Sequence, residues 1–424
     1  MAQTQTCDTR VVHFWRNLAV NICIEGLWGF AMACTSLMTV VAALLKELQA
    51  PAMVIGALPA ASTVGAALTQ IPGALVFRRL RKRKGALVVA LLPIGALWVV
   101  TGLAIGALAP QRPHLATALL ILLVGLSSTA GGFILPAWYD FINRMLPPSR
   151  RGRALGAMGA SLASMTLLGG LYAAAVLGQS PGYTGFAMLF IVAGTLMLVA
   201  SFGYSLVVEA ELGTGGPFSV RDAWRLLRAP TSPWTRLILA RWAIEVSRAP
   251  LIFATIVALS RFHLPAAYAG ILGFLMAAGQ AVAAPFGGWL GDRRGHKASM
   301  LAASVVAPAG TLLVLAAPHP WVAFAGFTLL GCVGIGDLAL TNLIIETAPE
   351  ADKNMYTAMV ETLMLPPRLI GPVGAGVVAQ FASPTAALVI AAALQVIAVA
   401  AVARLVVEPR QHLPHLIAAP FARE

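Results

Sequence analysis

Gly287-Gly288-Trp289-Leu290-Gly291-Asp292-Arg293-Arg294-Gly295-His296-Lys297 lies between two long apolar runs, about residues 266–290 and 299–317. A segment with this many charges cannot lie in hydrocarbon, so it is predicted to form a turn at a membrane surface with a helix entering from each side. Its cationic side chains place that turn on the cytoplasmic side. Glycines at 288, 291 and 295 favour a tight turn. Asp292 is expected near the start of the following helix, where a carboxylate meets unpaired N–H groups.

The composition of the whole chain indicates a membrane protein. Apolar residues make up 59% of the chain and charged residues 11%, with a mean hydropathy of +0.83, far from the balance of a soluble domain. The net charge of +13 sits in short loops between apolar segments, which is a topology signal and argues against nucleic-acid binding. The cysteines at 7, 23, 34 and 332 have neither paired nor metal-ligand spacing, so no disulfide, metal or other cofactor is predicted.

Twelve apolar segments have the length that a bilayer requires of a helix. A single long connection separates the first six from the last six, and it contains a glycine- and proline-rich piece followed by a short basic one. We therefore predict an N-terminal six-helix bundle at 1–208, a linker at 209–235 and a C-terminal six-helix bundle at 236–424. The predicted spans are 18–44, 51–77, 85–108, 115–139, 154–178, 185–208, 236–260, 266–290, 299–317, 321–345, 357–381 and 385–407.

The distribution of lysine and arginine predicts the orientation of these spans. With both termini inside, 23 of the 29 basic residues fall in cytoplasmic segments and three in external loops. This asymmetry is the positive-inside pattern. The chain is therefore expected to be a multi-pass protein of the plasma membrane, the inner membrane in a bacterium, with both termini in the cytoplasm.

The two halves of the chain carry weak signs of a repeat. A shift of 220 residues aligns Arg16 and Glu25 with Arg236 and Glu245. A shift of 214 residues aligns the loop after span 2 with the loop after span 8, including the positions 73, 79 and 83 with 287, 293 and 297. Paired six-helix halves of this kind are typical of secondary transporters.

The opening segment also carries a family signature. The pattern Gly288-x-x-x-Asp292-Arg293-x-Gly295-x-Lys297 resembles the loop motif of the major facilitator superfamily, found between helices 2 and 3 and between helices 8 and 9. The resemblance implies an all-α fold of twelve transmembrane helices in two bundles related by a pseudo-twofold axis, with these five residues in a gating loop. The first-half copy departs from the motif, because Arg78 stands where the family has its aspartate.

Ionisable residues inside the spans are the candidates for function. Each costs about 2.5–3.5 kcal/mol near the middle of a bilayer, so they are expected to face one another or a wet cavity. They lie on spans 1, 7, 10 and 11, whereas spans 3, 6, 9 and 12 are almost wholly apolar. In the family, helices 1, 4, 7 and 10 line the central cavity, which agrees with this placement. The predicted pathway residues are Asn21, Glu25, Glu245, Arg248, Asp337, Glu361 and Arg368.

These charges admit two interpretations. Arg241, Glu245 and Arg248 share one helix face, and with Arg368 they would suit an anionic group held by fork-like hydrogen bonds, while a carboxylate carries a coupling proton. Alternatively, the three residues of span 7 form a self-satisfied structural ladder near the cytoplasmic end, with Arg241 as its most terminal member.

The sequence therefore favours a proton-coupled secondary transporter of a small organic solute, an anion in one version, working as a monomer by rocker-switch alternating access. A drug or metabolite efflux antiporter, and a non-transporting receptor or assembly factor on the same fold, stay open as alternatives. Neither HExxH, GxSxG nor GxxxxGK[ST] occurs, so an enzyme and an ATP-driven pump are not expected.

Overall fold

The computed structural model describes residues 9–210, 233–347, 360 and 362–408, and regular structure in these ranges is helical throughout. Eleven helices are long and apolar enough to cross a membrane. The twelfth predicted span, 357–381, is described as a 17-residue helix, Leu365–Phe381. The predicted all-α fold of twelve spans is thereby confirmed. The helices are Phe14–Glu47 (α1), Ala52–Phe77 (α2), Lys84–Leu108 (α3), Pro113–Ile142 (α4), Arg151–Gln179 (α5), Tyr183–Leu206 (α6), Pro233–Arg261 (α7), Ala267–Arg294 (α8), His296–Ala316 (α9), Pro320–Ile344 (α10), Leu365–Phe381 (α11) and Pro384–Leu405 (α12).

Three of these spans are interrupted. Helix α1 passes through a π-helical turn at Leu37–Val41, and α10 breaks between Cys332 and Ile335. Helix α7 tightens to a 3-10 turn at Ala249–Leu251. Pro250 explains this last interruption, because it has no N–H to donate and its ring clashes with the carbonyl one turn earlier. Backbone groups freed inside a span need another partner, which is the property that places such breaks at polar sites.

The described residues form two compact units by their internal contacts. The first contains residues up to 210 together with Leu259–Phe274, and the second contains residues 233–258 and those from Leu275 onward. Leu259–Phe274 joins the first unit because Gly270 of α8 lies against Ala174 of α5, and Gly170 of α5 lies against Phe274. The limits predicted for the two bundles and their linker stay a prediction.

Small residues let the helices of each unit pack closely, as is usual where both partners are apolar. In the first unit, α1 packs on α5, α2 on α4 and α3 on α6. Their crossing points put a glycine against a backbone carbonyl of the partner helix: Gly29 on Leu162, Gly73 on Phe133 and Gly95 on Gly194. In the second unit, Gly279 of α8 lies on the Thr328 carbonyl of α10, and Gly331 of α10 lies on the Met276 carbonyl of α8.

A matching carboxylate closes one end of each unit. In the first unit, Glu209 follows α6 and its carboxylate accepts hydrogen bonds from the backbone N–H groups of Arg83 and Lys84 at the start of α3, at 2.9 and 3.0 Å. In the second unit, Glu408 follows α12 and accepts from the backbone N–H of Lys297 at the start of α9, at 2.9 Å. Each carboxylate satisfies donors that a helix start leaves open and complements the helix dipole.

This arrangement corrects the prediction for Asp292. Helix α8 continues through residues 287–294, so Asp292 lies in the last turn of α8 and not at the start of α9. Gly295 alone makes the turn, with φ +89°, and a Cβ there would collide with the Glu408 carboxylate. The sequence suggested a longer turn because of its charges, but charged residues are compatible with a helix that runs out of the apolar layer. Arg293 and Arg294 also suit the negative end of the α8 dipole.

Candidate functional site

Five ionised side chains of the second unit form one continuous chain across α11, α7 and α10. Arg368 Nη2 lies 3.2 Å from Glu245 Oε1, and the same oxygen lies 2.6 Å from Arg241 Nη2. Arg241 Nη1 lies 2.7 Å from Asp337 Oδ1, which lies 2.9 Å from Arg248 Nη1. Arg241 is thus the central member, since it alone contacts both carboxylates. We call these five residues the ionic chain.

The interrupted helices position the Arg248 end of the ionic chain. Arg248 is the last residue of the first part of α7, directly before the 3-10 turn that contains Pro250. Its Nη2 donates to the carbonyl oxygen of Val333 at 3.0 Å, and Val333 lies in the break of α10. One arginine therefore satisfies a carbonyl at the break in α10 while Nη1 binds Asp337. This is the arrangement expected of irregular backbone at membrane depth.

The ionic chain is closed at one part and open at another. Arg241 and Glu245 have side chains only 6% and 12% exposed, whereas Arg248 and Arg368 are about one-fifth exposed. The Asp337 side chain is 50% exposed. Three guanidinium groups face two carboxylates, so the formal charge of the ionic chain is +1. A solute that meets its open part encounters two partly paired arginines and one carboxylate.

Four of the predicted pathway residues, Glu245, Arg248, Asp337 and Arg368, are brought together by this geometry. Arg241 was expected as the terminal rung of a ladder on one helix, yet it links α7 to α10. Periodicity along α7 could not reveal that link, because Asp337 lies 96 positions away in the sequence. Glu361 lies outside the described residues.

Asn21 and Glu25 lie on α1 in the first unit. Asn21 is fully buried and donates through Nδ2 to the Asn17 carbonyl at 2.8 Å. Asn17 itself is committed to structure, because it donates to Met145 O and Val208 O and accepts from Val208 N. The pathway role of Asn21 stays a prediction.

Glu25 differs from the carboxylates of the ionic chain in having no cation beside it. It is 9% exposed, and no hydrogen bond or ion pair to its carboxylate is found in the part of the chain that the structure describes. An isolated carboxylate in an apolar surrounding favours its neutral form, since charge burial is costly without a partner. The pathway role of Glu25 stays a prediction too.

The segment named from the sequence as a gating loop is mostly helical. Gly288 has open space where a Cβ would stand, Asp292 and Arg293 are exposed, and the Arg293 guanidinium lies over the Trp289 ring at 5.1 Å. Lys297 is held at both ends, by its backbone bond to Glu408 and by its Nζ, which donates to Ala403 O at 2.9 Å. A gating role for these residues is untested and stays a prediction.

A second ionic cluster in the first unit was not predicted from the sequence. Asp140 of α4 accepts from Arg83 and, at 2.7 Å, from Nε of Arg144. Arg144 is 1% exposed and also donates to Arg81 O at 3.1 Å. Burial and, secondarily, the neighbouring Arg144 lower the pKa of Arg83 to about 10, so it stays protonated at neutral pH. This cluster fixes α4 to the connection between α2 and α3.

The carboxylates that cap α3 and α9 left a signal that the alignment of halves did not use. Residues 206–209 and 405–408 both read Leu-Val-Val-Glu, at an offset of 199 residues. The offset differs from the 214 and 220 residues of the other matches because the connections between helices differ in length. Two equal motifs with equal contacts support an internal duplication.

Comparison with known proteins agrees with this architecture. The sequence profile of the Major Facilitator Superfamily matches residues 26–259 and 246–422. No curated protein sequence matches at a significant level. Among solved structures, a D-xylose-proton symporter is similar with a TM-score of 0.73, at 13% identity over 94% of this chain and 99% of that one. The nucleoside transporter NupG, as a D323A mutant, has a TM-score of 0.72 at 13% identity, over 92% of this chain and 100% of that one.

A bacterial homologue of the human lysosomal transporter Spinster, in an inward-facing and occupied conformation, is also similar. Its TM-score is 0.69 at 16% identity, over 91% of this chain and 95% of that one. At these identities the likeness concerns the fold, whereas the profile match spans nearly the whole chain. The chain therefore belongs to the major facilitator superfamily, and it is an integral multi-pass transporter and not an enzyme.

Proposed function

We propose that this transporter moves a small organic anion by proton-coupled, rocker-switch alternating access. The observation that carries the proposal is the ionic chain, in which three arginines face two carboxylates. An anionic group that binds there brings the local charge from +1 to neutral. Guanidinium groups suit a carboxylate or phosphate because their donors form a planar fork.

The exposed positions indicate which members would meet the solute. Arg248 and Arg368 are partly exposed, and each is held by one carboxylate of the ionic chain. Arg241 is buried and bound to both carboxylates. We therefore assign solute binding to Arg248 and Arg368, and assign to Arg241 the role of holding Glu245 and Asp337 in place.

Glu25 is the proposed proton carrier. Glu245 and Asp337 each contact two arginines, and a carboxylate between cations holds a proton poorly. Glu25 has no such neighbour among the described residues, so it can gain and lose a proton without breaking an ion pair. Asn21 and Glu361 keep their proposed places along the pathway. A D-xylose-proton symporter among the similar structures provides a precedent for proton coupling on this fold.

The proposal also covers orientation and state. The asymmetry of basic residues supports cytoplasmic termini, and it places the α2–α3 and α8–α9 connections, with the residues named as a gating loop, at the cytoplasmic face. We propose a monomer in the plasma membrane, the inner membrane of a bacterium, since each unit carries its own polar clusters.

Flux into proteoliposomes tests this function. The purified protein is reconstituted, and uptake of organic anions and matched neutral solutes is measured with and without an imposed pH gradient. Concentrative anion uptake that depends on the gradient and is reduced at least tenfold by Arg368→Gln is expected. Export of cationic or neutral compounds in exchange for protons would instead indicate an efflux antiporter. No flux of any solute would favour a receptor or assembly factor.

A further inference from the structure

A small cavity inside the second unit lies behind the ionic chain. It is enclosed by α7, α9, α10 and α12, and the space open to the centre of a water-sized sphere is about 10 Å³. Its polar walls are Ser247 and Arg248 of α7, Ser304 of α9 and Gln395 of α12. A volume near that of one such sphere is about the minimum that admits a single water molecule.

Gln395 is the side chain that the cavity must explain. It is 1% exposed, although α12 is otherwise almost wholly apolar along its length. Neither its Oε1 nor its Nε2 has a hydrogen-bond partner among the described residues. A buried amide without partners is costly, because it loses water and gains nothing in return. A glutamine at this place therefore needs a bound group that the cavity supplies.

The other polar walls offer the complementary groups. Nε of Arg248 is buried and has no hydrogen-bond partner in the described part of the chain, whereas Nη1 and Nη2 are used by Asp337 and Val333. The Ser304 hydroxyl donates to Met300 O at 2.8 Å, so its lone pairs stay available to accept. The cavity thus has one cationic donor, one amide and one hydroxyl acceptor.

We propose that this cavity binds one water molecule, which joins Gln395 to Arg248 and Ser304. Water fits because it accepts from Arg248 Nε–H and donates to Gln395 Oε1 and to Ser304 Oγ. A buried water with two to four polar partners is a stable structural element. The bridge connects α12 and α9 to the arginine that contacts Asp337, so it holds the Arg248 guanidinium from the side opposite to that carboxylate.

A thermal-stability cycle on the full-length purified protein tests the water site. Gln395→Leu removes one partner of the water and is expected to lower the unfolding midpoint by roughly 2–8 °C, because buried Arg248 Nε–H then loses its acceptor. Ser304→Ala is expected to lower it less. The double variant should be no less stable than Gln395→Leu alone, since both changes remove the same water. Val396→Leu, on the exposed side of α12, is the matched control and should leave the midpoint unchanged.

A dry cavity gives the opposite sign. Without the water, Gln395→Leu replaces an unpaired buried amide by an apolar side chain, so the midpoint would rise and the effects of the two changes would add. Either result overturns the proposal. A structure that resolves other buried waters but shows no density within hydrogen-bonding distance of Gln395 and Arg248 would overturn it as well.

The water site also has a consequence for transport, which rests on the proposed function. If Arg248 contacts the anion, Gln395→Leu should raise the KM for the anion about 3–10-fold and leave the maximal rate nearly unchanged, because it loosens a binding group without touching the solute. A lower maximal rate at constant KM would contradict this link. Loss of anion transport in the unmodified protein would refute the proposed function while leaving the stability cycle as an independent test of the water.

Discussion

Replacing Arg241 by Gln should destabilise the protein far more than replacing Arg368 by Gln. Arg241 is 6% exposed and contacts Glu245 at 2.6 Å and Asp337 at 2.7 Å. Removing one member of a buried ion pair costs about 3–5 kcal/mol because the remaining charge is left uncompensated. The value should lie near the lower limit here, since Asp337 is half-exposed and keeps Arg248. With about 2–4 °C per kcal/mol, the unfolding midpoint should fall by roughly 6–12 °C.

Arg368→Gln should lower the midpoint by no more than about 4 °C, a loss of about 1 kcal/mol or less. Arg368 is partly exposed, and Glu245 keeps its shorter contact with Arg241. Thermal unfolding of the purified full-length variants in one detergent gives both numbers. Arg241→Lys is the matched control and should lie between the unmodified protein and Arg241→Gln, because one ammonium group cannot bind two carboxylates as a fork does. Equal losses for Arg241→Gln and Arg368→Gln, or a larger loss for Arg368→Gln, would refute the assignment of Arg241 as the central member.

Three further changes have defined outcomes. Glu408→Gln should lower the unfolding midpoint by about 2–4 °C, because it weakens the charge-assisted bond to the start of α9, and an unchanged midpoint would contradict that role. Gly279→Ala should destabilise the protein, since the new Cβ would collide with the Thr328 carbonyl, whereas Gly288→Ala has open space and should be neutral or slightly stabilising in the same thermal assay. Glu25→Gln, which imitates a permanently protonated carboxyl, should abolish accumulation driven by a pH gradient while solute exchange across liposomes persists; retained gradient-driven accumulation would exclude Glu25 as the proton carrier.

The fold could be predicted from the sequence because its strongest constraint is local. A bilayer requires about twenty apolar residues in each span, and that requirement is legible without knowledge of contacts. The ends of the helices were less accessible. Charges at 292–294 suggested a turn, yet α8 continues through them, because a helix is equally able to carry charges once it has left the apolar layer. The residue that caps α9, Glu408, lies more than a hundred positions away.

The ionic chain could be predicted only in part. The cost of charge in a membrane identified Glu245, Arg248, Asp337 and Arg368 as residues that must find partners. The pairings between helices were not legible, because spacing along α7 relates residues of one helix and says nothing about α10. Gln395 was missed for a different reason. A single amide in an apolar helix carries no pattern, and only the packing of α7, α9, α10 and α12 shows that it faces a cavity.

Ligand-induced stabilisation tests the central claim most directly, which is that the ionic chain binds an anionic group. Purified protein and its Arg368→Gln variant are each titrated with pairs of small solutes that differ only in a carboxylate against its amide, and the unfolding midpoint is recorded. At least one carboxylate should stabilise the unmodified protein in a concentration-dependent manner, its amide should not, and Arg368→Gln should weaken the apparent affinity about tenfold or more. Stabilisation by amides as strong as by carboxylates, or carboxylate affinities that Arg368→Gln leaves unchanged, would contradict the account.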